Sequence, residues 1–409
     1  MKSRFLACAY SVVVAACVGD NQEFYGAGPG GGCAVNGDGC LLDWSLQASI
    51  DRTTLQSFVD PAIHVDNGYD LFSISYVTDG RTATATVTLP KDLEGDTPIA
   101  GFPLVINSHG TIGLDDPCRL SGTEAGAALA GLFGARGAIG VAPDYPGLGS
   151  QGLHPYLVAR SEATSVLDAG RAALRLATNE EINSRPDVAL VGMSQGGHAA
   201  IAAAALAANY APELHIRVVG VAAPASVFRE HWAPGIAIAG PHLIYHAMLA
   251  RSFADAAGAP TDDIWAPGTG GAIESALNER CAWSPQFTSE ETLNDVISSE
   301  PNEVFSEAYL QHFAGDGGIG WLDDQFAKNR LTAPPARIPI RIYQGSADEV
   351  VLPFMTEALV SELQDNGADV DLVAVEGATH LDTAYGFLGV VERSTDDSVA
   401  WIQDHLALP

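Results

Sequence analysis

From residue 69 onward the chain is written in two apolar rhythms. Phe72-Ser73-Ile74-Ser75-Tyr76-Val77 and residues 82–89 place apolar side chains at alternate positions on either side of Thr78-Asp79-Gly80-Arg81. That is the signature of a β-hairpin closed by a tight turn. Further on, short continuous apolar runs predict buried parallel strands: Leu104-Val105-Ile106-Asn107, Ala138-Ile139-Gly140-Val141-Ala142, Asp187-Val188-Ala189-Leu190-Val191, Arg217-Val218-Val219-Gly220-Val221-Ala222, Ile338-Pro339-Ile340-Arg341-Ile342-Tyr343 and Val370-Asp371-Leu372-Val373-Ala374-Val375. Between and after them, helical periodicity covers residues 122–133, 154–176, 195–209, 353–366 and 395–406. Strands alternating with helices predict an α/β fold, a mostly parallel central sheet with helices on both faces.

One interval breaks the alternation. Residues 225–335 separate two strands that a compact fold would join by a far shorter connection. The interval carries apolar helical segments at 244–253 and 293–297, together with Trp232, Trp265, Trp283 and Trp321. It is expected to form a helical cap inserted over the sheet. The main domain is expected to span residues 46–409.

The amino terminus has a different character. Lys2 and Arg4 precede an apolar stretch, residues 5–14, too short to span a bilayer, so residues 1–17 are expected to be an export signal. Val14-Ala15-Ala16-Cys17 resembles a lipobox, which would make Cys17 a lipidated membrane anchor. Cleavage after the small residues with release of a soluble protein is the competing reading. Residues 18–45, polar and Gly-rich at their start, are expected to be a flexible tether.

Composition narrows the partners. Of 409 residues 47% are hydrophobic and 17% charged, which fits a large core and not a disordered chain. The 50 acidic against 20 basic residues give a net charge of −30. Nucleic acid is therefore excluded as a partner, and neutral substrates are favoured over anionic ones. Once Cys8 and Cys17 are assigned to the signal, Cys33, Cys40, Cys118 and Cys281 remain. An even count in an exported chain points to disulfides, Cys33–Cys40 across a short loop and Cys118–Cys281 between the sheet and the cap. No histidine cluster accompanies the cysteines, and Gly315-Asp316-Gly317-Gly318 and Asn36-Gly37-Asp38-Gly39 fall short of a calcium-loop pattern, so neither metal nor cofactor is expected. The pattern leaves the oligomeric state open.

The candidate chemistry sits where a strand meets a helix. Gly192-Met193-Ser194-Gln195-Gly196-Gly197 is a Gly-x-Ser-x-Gly turn. It would hold Ser194 in a strained conformation that requires Gly192 and Gly196 on either side. Serine needs a base, and the base needs a carboxylate. Asp348 follows one later strand and His380 the next, both expected in loops at strand ends. Glu349 is the local rival for the acid. The developing oxyanion would be met by the Gln195 N–H at the helix start and the Thr111 N–H after Asn107-Ser108-His109-Gly110. Asp144, Tyr145, His154 and Tyr156 are expected to organise loops and not to touch substrate.

Between about Tyr69 and Leu406 the chain resembles α/β-hydrolases. More narrowly it is similar to the secretory lipases of yeast and their bacterial relatives with helical caps. The similarity rests on Ala142-Pro143-Asp144-Tyr145-Pro146-Gly147-Leu148-Gly149, on His154-Pro155-Tyr156-Leu157 and on the serine turn itself. Those relatives often carry Tyr where this chain has Met193, a side chain expected to pack away from substrate. The resemblance implies hydrolysis of small-molecule or lipid carboxylic esters, with the cap shaping the acyl pocket. The cap carries no motif that transfers a chain-length preference. A serine peptidase or acyltransferase on the same fold, and a hydrolase-like binding protein without turnover, are the alternative functions.

Overall fold

The computed structural model describes residues 37–408 apart from 59–64, 94–97, 284–290, 336 and 388–394. In chain order, β1 (Leu41–Ile50), α1 (Arg52–Phe58), β2 (Gly68–Thr78) and β3 (Arg81–Lys91) lead into β4 (Phe102–Ser108), α2 (Glu124–Gly134), β5 (Ile139–Pro143) and α3 (Ala159–Asn179). Then come β6 (Ser184–Met193), α4 (Gln195–Tyr210) and β7 (His215–Ala222). The cap helices are α5 (Arg229–Ile236), α6 (Leu243–Ala257), α7 (Gly270–Glu279), α8 (Leu293–Val296), α9 (Pro301–Val304), α10 (Glu307–Ala314) and α11 (Gly320–Lys328). The chain finishes with β8 (Pro339–Gly345), α12 (Pro353–Asp365), β9 (Asp369–Val375), α13 (His380–Phe387) and α14 (Thr395–Leu406).

The strands form one sheet in the order β1-β2-β3-β5-β4-β6-β7-β8-β9. The first three strands and the β3–β5 junction are antiparallel, and every pairing from β5 to β9 is parallel. The sheet is thus mostly parallel, as expected. Asp79 and Gly80, at φ 47° and 71°, turn the β2–β3 hairpin, with positive φ at both central residues as a two-residue hairpin prefers.

Period two sorts the central strands onto two cores. Leu104, Ile106, Val188, Leu190, Val219, Val221, Ile340 and Ile342 face α3, α4 and α12, while Val105, Ala189, Val191, Val218, Ala222 and Tyr343 face α2 and α14. Because both faces are covered, these strands read as continuous apolar runs rather than alternating ones. Alanines along α4 let that helix lie close on the sheet, and Ala199, Ala200 and Ala203 are fully buried.

The cap has its own core. Phe253, Phe326, Phe313, Tyr309, Phe305 and Trp265 form a chain of ring contacts with centroids 5.2–6.2 Å apart. Leu114 and Tyr156 from the main domain join the same cluster. The sheet and cap are also tied covalently, since Cys118 and Cys281 form the expected disulfide with Cα atoms 5.4 Å apart. Beside it Ala282 N–H donates to Ile112 O at 2.7 Å.

Several boundaries differ from the sequence expectation. The sheet starts at Leu41, inside the stretch expected to be tether; β1 is an edge strand whose pairing with β2 slips at Leu41/Asp43 and Leu46/Ala48. Those irregularities erase the period-two signal. The helix expected from His154 begins instead at Ala159, because Pro155 disfavours helical backbone at His154 and Leu157 sits at φ 55°. Gly315, once a faint cation-loop candidate, is the left-handed C-cap of α10. Residues 1–17, Cys33 and Asn36 lie outside the described residues, so the signal, the Cys17 anchor and the Cys33–Cys40 pairing remain expectations.

Replacing Cys118 and Cys281 by Ser should lower stability by about 2–5 kcal/mol in denaturant titration, since the bond constrains a long loop of the unfolded chain. Mass spectrometry of an unreduced digest should recover the two peptides joined.

Candidate active site

The site begins with a backbone that only a few residues tolerate. Ser194 has φ 54° and ψ −117°, a region costing about 1–3 kcal/mol for a residue with a side chain. The surrounding bonds hold it there. Ser194 N–H donates to Ala222 O at 2.9 Å, and Ser194 O accepts from Ala225 N–H at 3.0 Å and His198 N–H at 3.1 Å. A Cβ on Gly192 would lie 2.2 Å from Gly196 O, and one on Gly196 would lie 1.9 Å from Ser108 O. Gly197 is pressed in the same way against Pro224. Both expected elbow glycines are therefore required by backbone against backbone.

The contact between Gly196 and Ser108 also brings the β4 loop to the serine. An added Cβ on Gly110 would stand 3.8 Å from Ser194 Cβ, which puts the β4 loop against the serine. Tyr156 Oη lies 3.0 Å from Thr111 Oγ1, and Tyr145 Oη donates to His109 O at 3.0 Å. Burial raises the pKa of both tyrosines, so their hydroxyls keep their protons. On the other side Gln195 opens α4, where the first N–H groups lack helical partners. Gln195 directly follows the serine, and Thr111 directly follows Gly110.

Asp348 and His380, the expected acid and base, follow the ends of β8 and β9. Asp348 is 3% exposed. Its Oδ1 accepts from Val350 N–H and Val351 N–H at 2.9 Å each, and its Oδ2 from Gln344 Nε2 at 3.2 Å. His380 Nδ1 donates to the same Oδ2 at 2.8 Å. Glu349 instead accepts from the His380 backbone N–H at 3.5 Å, so of the two rival carboxylates Asp348 holds the ring. His380 is the first residue of α13 and not a loop residue as expected. Among the described residues no hydrogen bond joins the ring to the Ser194 hydroxyl; such contacts commonly tighten only when substrate binds. Met193 packs with the core under α2 and α14, as expected of it.

Residues 126–228 match the secretory lipase family. That segment spans the elbow, β5 and the Asp144–Gly149 loop. The fold is similar to a Legionella pneumophila protein described as a hydrolase, with TM-score 0.75 and 20% identity over 89% of this chain and 98% of that one. The rice cell wall degrading esterase LipA from Xanthomonas oryzae matches at TM-score 0.73 and 18% identity over 90% and 98% of the two chains. Lipase A of Candida antarctica in its closed state matches at TM-score 0.63 and 16% identity over 95% and 86%. No curated protein sequence matches the chain. The chain has the α/β-hydrolase fold.

Within this fold the residues given organising roles by sequence do organise. Asp144 is fully buried; its carboxylate accepts from Leu120 N–H at 2.7 Å, from Ser121 N–H and from Thr84 Oγ1 at 2.7 Å. His154 stacks on Tyr145 with centroids 5.1 Å apart. Burial, with His109 next in effect, pushes His154 down to about 3, so its ring is neutral and accepts from Gln195 Nε2 at 2.7 Å. Sequence reasoning missed Glu162 and His198, both fully buried behind the elbow. Glu162 lies in the first turn of α3, where an acidic residue reads as ordinary helix capping. Only the packing of α3 against α4 shows that it points inward.

The two loop glycines predict opposite behaviour. Gly196→Ala should destabilise the fold by about 3 kcal/mol because backbone must move. Gly110→Ala, whose nearest contact would be 3.5 Å, should fold within about 1 kcal/mol of the parent yet lose activity, because the methyl crowds the space over Ser194. Thermal unfolding and ester turnover measured together distinguish these outcomes.

Proposed function

We propose that this hydrolase cleaves carboxylic esters through an acyl-enzyme on Ser194. The observation that carries the reading is the 2.8 Å bond from His380 Nδ1 to a buried, fully engaged Asp348, both past the C-terminal ends of parallel strands, as is the strained Ser194 after β6. Asp348 fixes the tautomer that leaves His380 Nε2 free to accept the Ser194 proton. Ser194 Oγ then attacks the acyl carbon, and the negative charge on the carbonyl oxygen is met by the N–H groups of Gln195 and Thr111. His380 returns the proton to the departing alkoxide, leaving an alcohol and the acyl-serine. Water, deprotonated by the same ring, releases the acid.

Neutral acyl donors suit a chain of net charge −30. The activities named for the two similar structures, a cell wall esterase and a lipase, bracket the acyl groups worth testing. The disulfide between Cys118 and Cys281 and the similarity to secretory lipases support export to an oxidising compartment. Attachment to the membrane through a lipidated Cys17 is part of the same reading.

Nitrophenyl esters from acetate to palmitate should be turned over faster than aminoacyl anilides; the reverse order would favour a peptidase. Ser194→Ala should abolish turnover. Asp348→Asn should lower kcat about 10⁴-fold, whereas Glu349→Gln should stay within a few-fold of the parent. A larger loss in Glu349→Gln would reassign the acid. Detergent partitioning of the full chain should be lost in Cys17→Ala, and partitioning that survives the change would remove the anchor.

A further inference from the structure

The mechanism leaves a buried carboxylate behind the elbow without a task. Glu162 is fully buried, and neither lysine nor arginine contacts it among the described residues. Its Oε1 accepts from Leu157 N–H at 3.0 Å and from Gln195 Nε2 at 2.8 Å. Its Oε2 lies 2.6 Å from His198 Nδ1. His198 Nε2 in turn lies 3.3 Å from the carbonyl oxygen of Asn329, just past α11 of the cap. Asn329 Oδ1 accepts the N–H of Ala159, the first residue of α3.

This arrangement is expensive to keep. Burying a carboxylate costs several kcal/mol unless its lone pairs are filled, and a packed apolar cluster would hold α3 against α4 at lower cost. What the carboxylate adds is direction. It grips the side chain of the residue whose own N–H faces the oxyanion, and it does so one residue after a strained Ser194. Gln195 Nε2 is gripped from two sides, by Glu162 and by the neutral His154 ring. With both partners accepting, the amide nitrogen must face them and the rotamer has no alternative. Leu157, at φ 55°, is held by the same Oε1, so the loop carrying Tyr156, the neighbour of Thr111, is fixed from the same atom. Both oxyanion donors are thereby referred to one carboxylate.

We infer that Glu162 is a positioning residue for the oxyanion site, aiming the Gln195 and Thr111 N–H groups through Gln195 Nε2 and Leu157 N–H. The inference rests on Ser194 being the nucleophile. A misplacement of about 1 Å at such a site costs on the order of 10² in rate, comparable with losing a donor outright.

The test compares Glu162→Gln, Gln195→Met and Ser194→Ala in the full-length protein. Glu162→Gln keeps the shape and can still accept from Gln195 but sacrifices the charge; Gln195→Met keeps the backbone N–H and removes the grip. Both should lower kcat about 10- to 100-fold with KM within about twofold. Each should weaken binding of an alkylboronic acid, whose tetrahedral adduct on serine places an oxygen in the oxyanion site, by the same factor as kcat. A residue that only supports the fold would lower the melting temperature without this parallel loss. Parental kcat and boronate affinity in folded Glu162→Gln would overturn the inference, as would boronate binding left intact while kcat falls. Should Glu162→Gln fail to fold, Gln195→Met carries the same readouts, and parental values there overturn it equally. Turnover surviving in Ser194→Ala would overturn the serine mechanism itself, a result distinct from either.

Discussion

The structure turns on the close approach of two stretches of backbone, the start of α4 and the loop leaving β4. Gly196 touches the carbonyl of Ser108 with no room for a methyl group, and Gly192 folds back onto Gly196. From that approach follow the strain at Ser194 and the presence of Gly110 beside it. The strain of about 1–3 kcal/mol persists because β6 lies between β4 and β7 in the parallel sheet and the Ser194 peptide groups are bonded to Ala222, Ala225 and His198.

Around this contact the chain buries polar groups, some fully bonded and others, Ser108 Oγ, His109 Nε2, His154 Nδ1 and Gln195 Oε1 among them, with no protein hydrogen bond. Asp144 gathers three backbone and hydroxyl donors from β3 and the loop before α2. Asp348 does the same for its own turn while holding His380. A carboxylate so engaged fixes loop geometry more sharply than apolar packing does, because each bond has a direction as well as a distance. Asp348 and the loop organisers differ in what they hold, not in how they are held.

The cap is bound to this centre at several points rather than resting on it. The Cys118–Cys281 bond and the Ala282 to Ile112 hydrogen bond fasten its middle to the oxyanion loop. Asn329 fastens its end to α3 and, through His198, to the nucleophile helix. Leu114 and Tyr156 share its apolar core, so the loops that follow β4 and β5 are also part of the cap's packing.

The sequence by itself determined the strand and helix alternation, the hairpin, the interval given to the cap, the elbow with its two glycines and the chain order of serine, acid and histidine. These are legible because they depend on local period, turn chemistry and spacing. It could not show β1, whose bulges hide the alternation, nor the start of α3 at Ala159, where Pro155 and the left-handed Leu157 override helical periodicity. Tertiary structure alone chose Asp348 over Glu349, since adjacent carboxylates in one turn differ only in which way they point. It alone revealed Glu162, because burial of a charge on a helix is decided by the helix packed against it, here α4, which lies far along the chain.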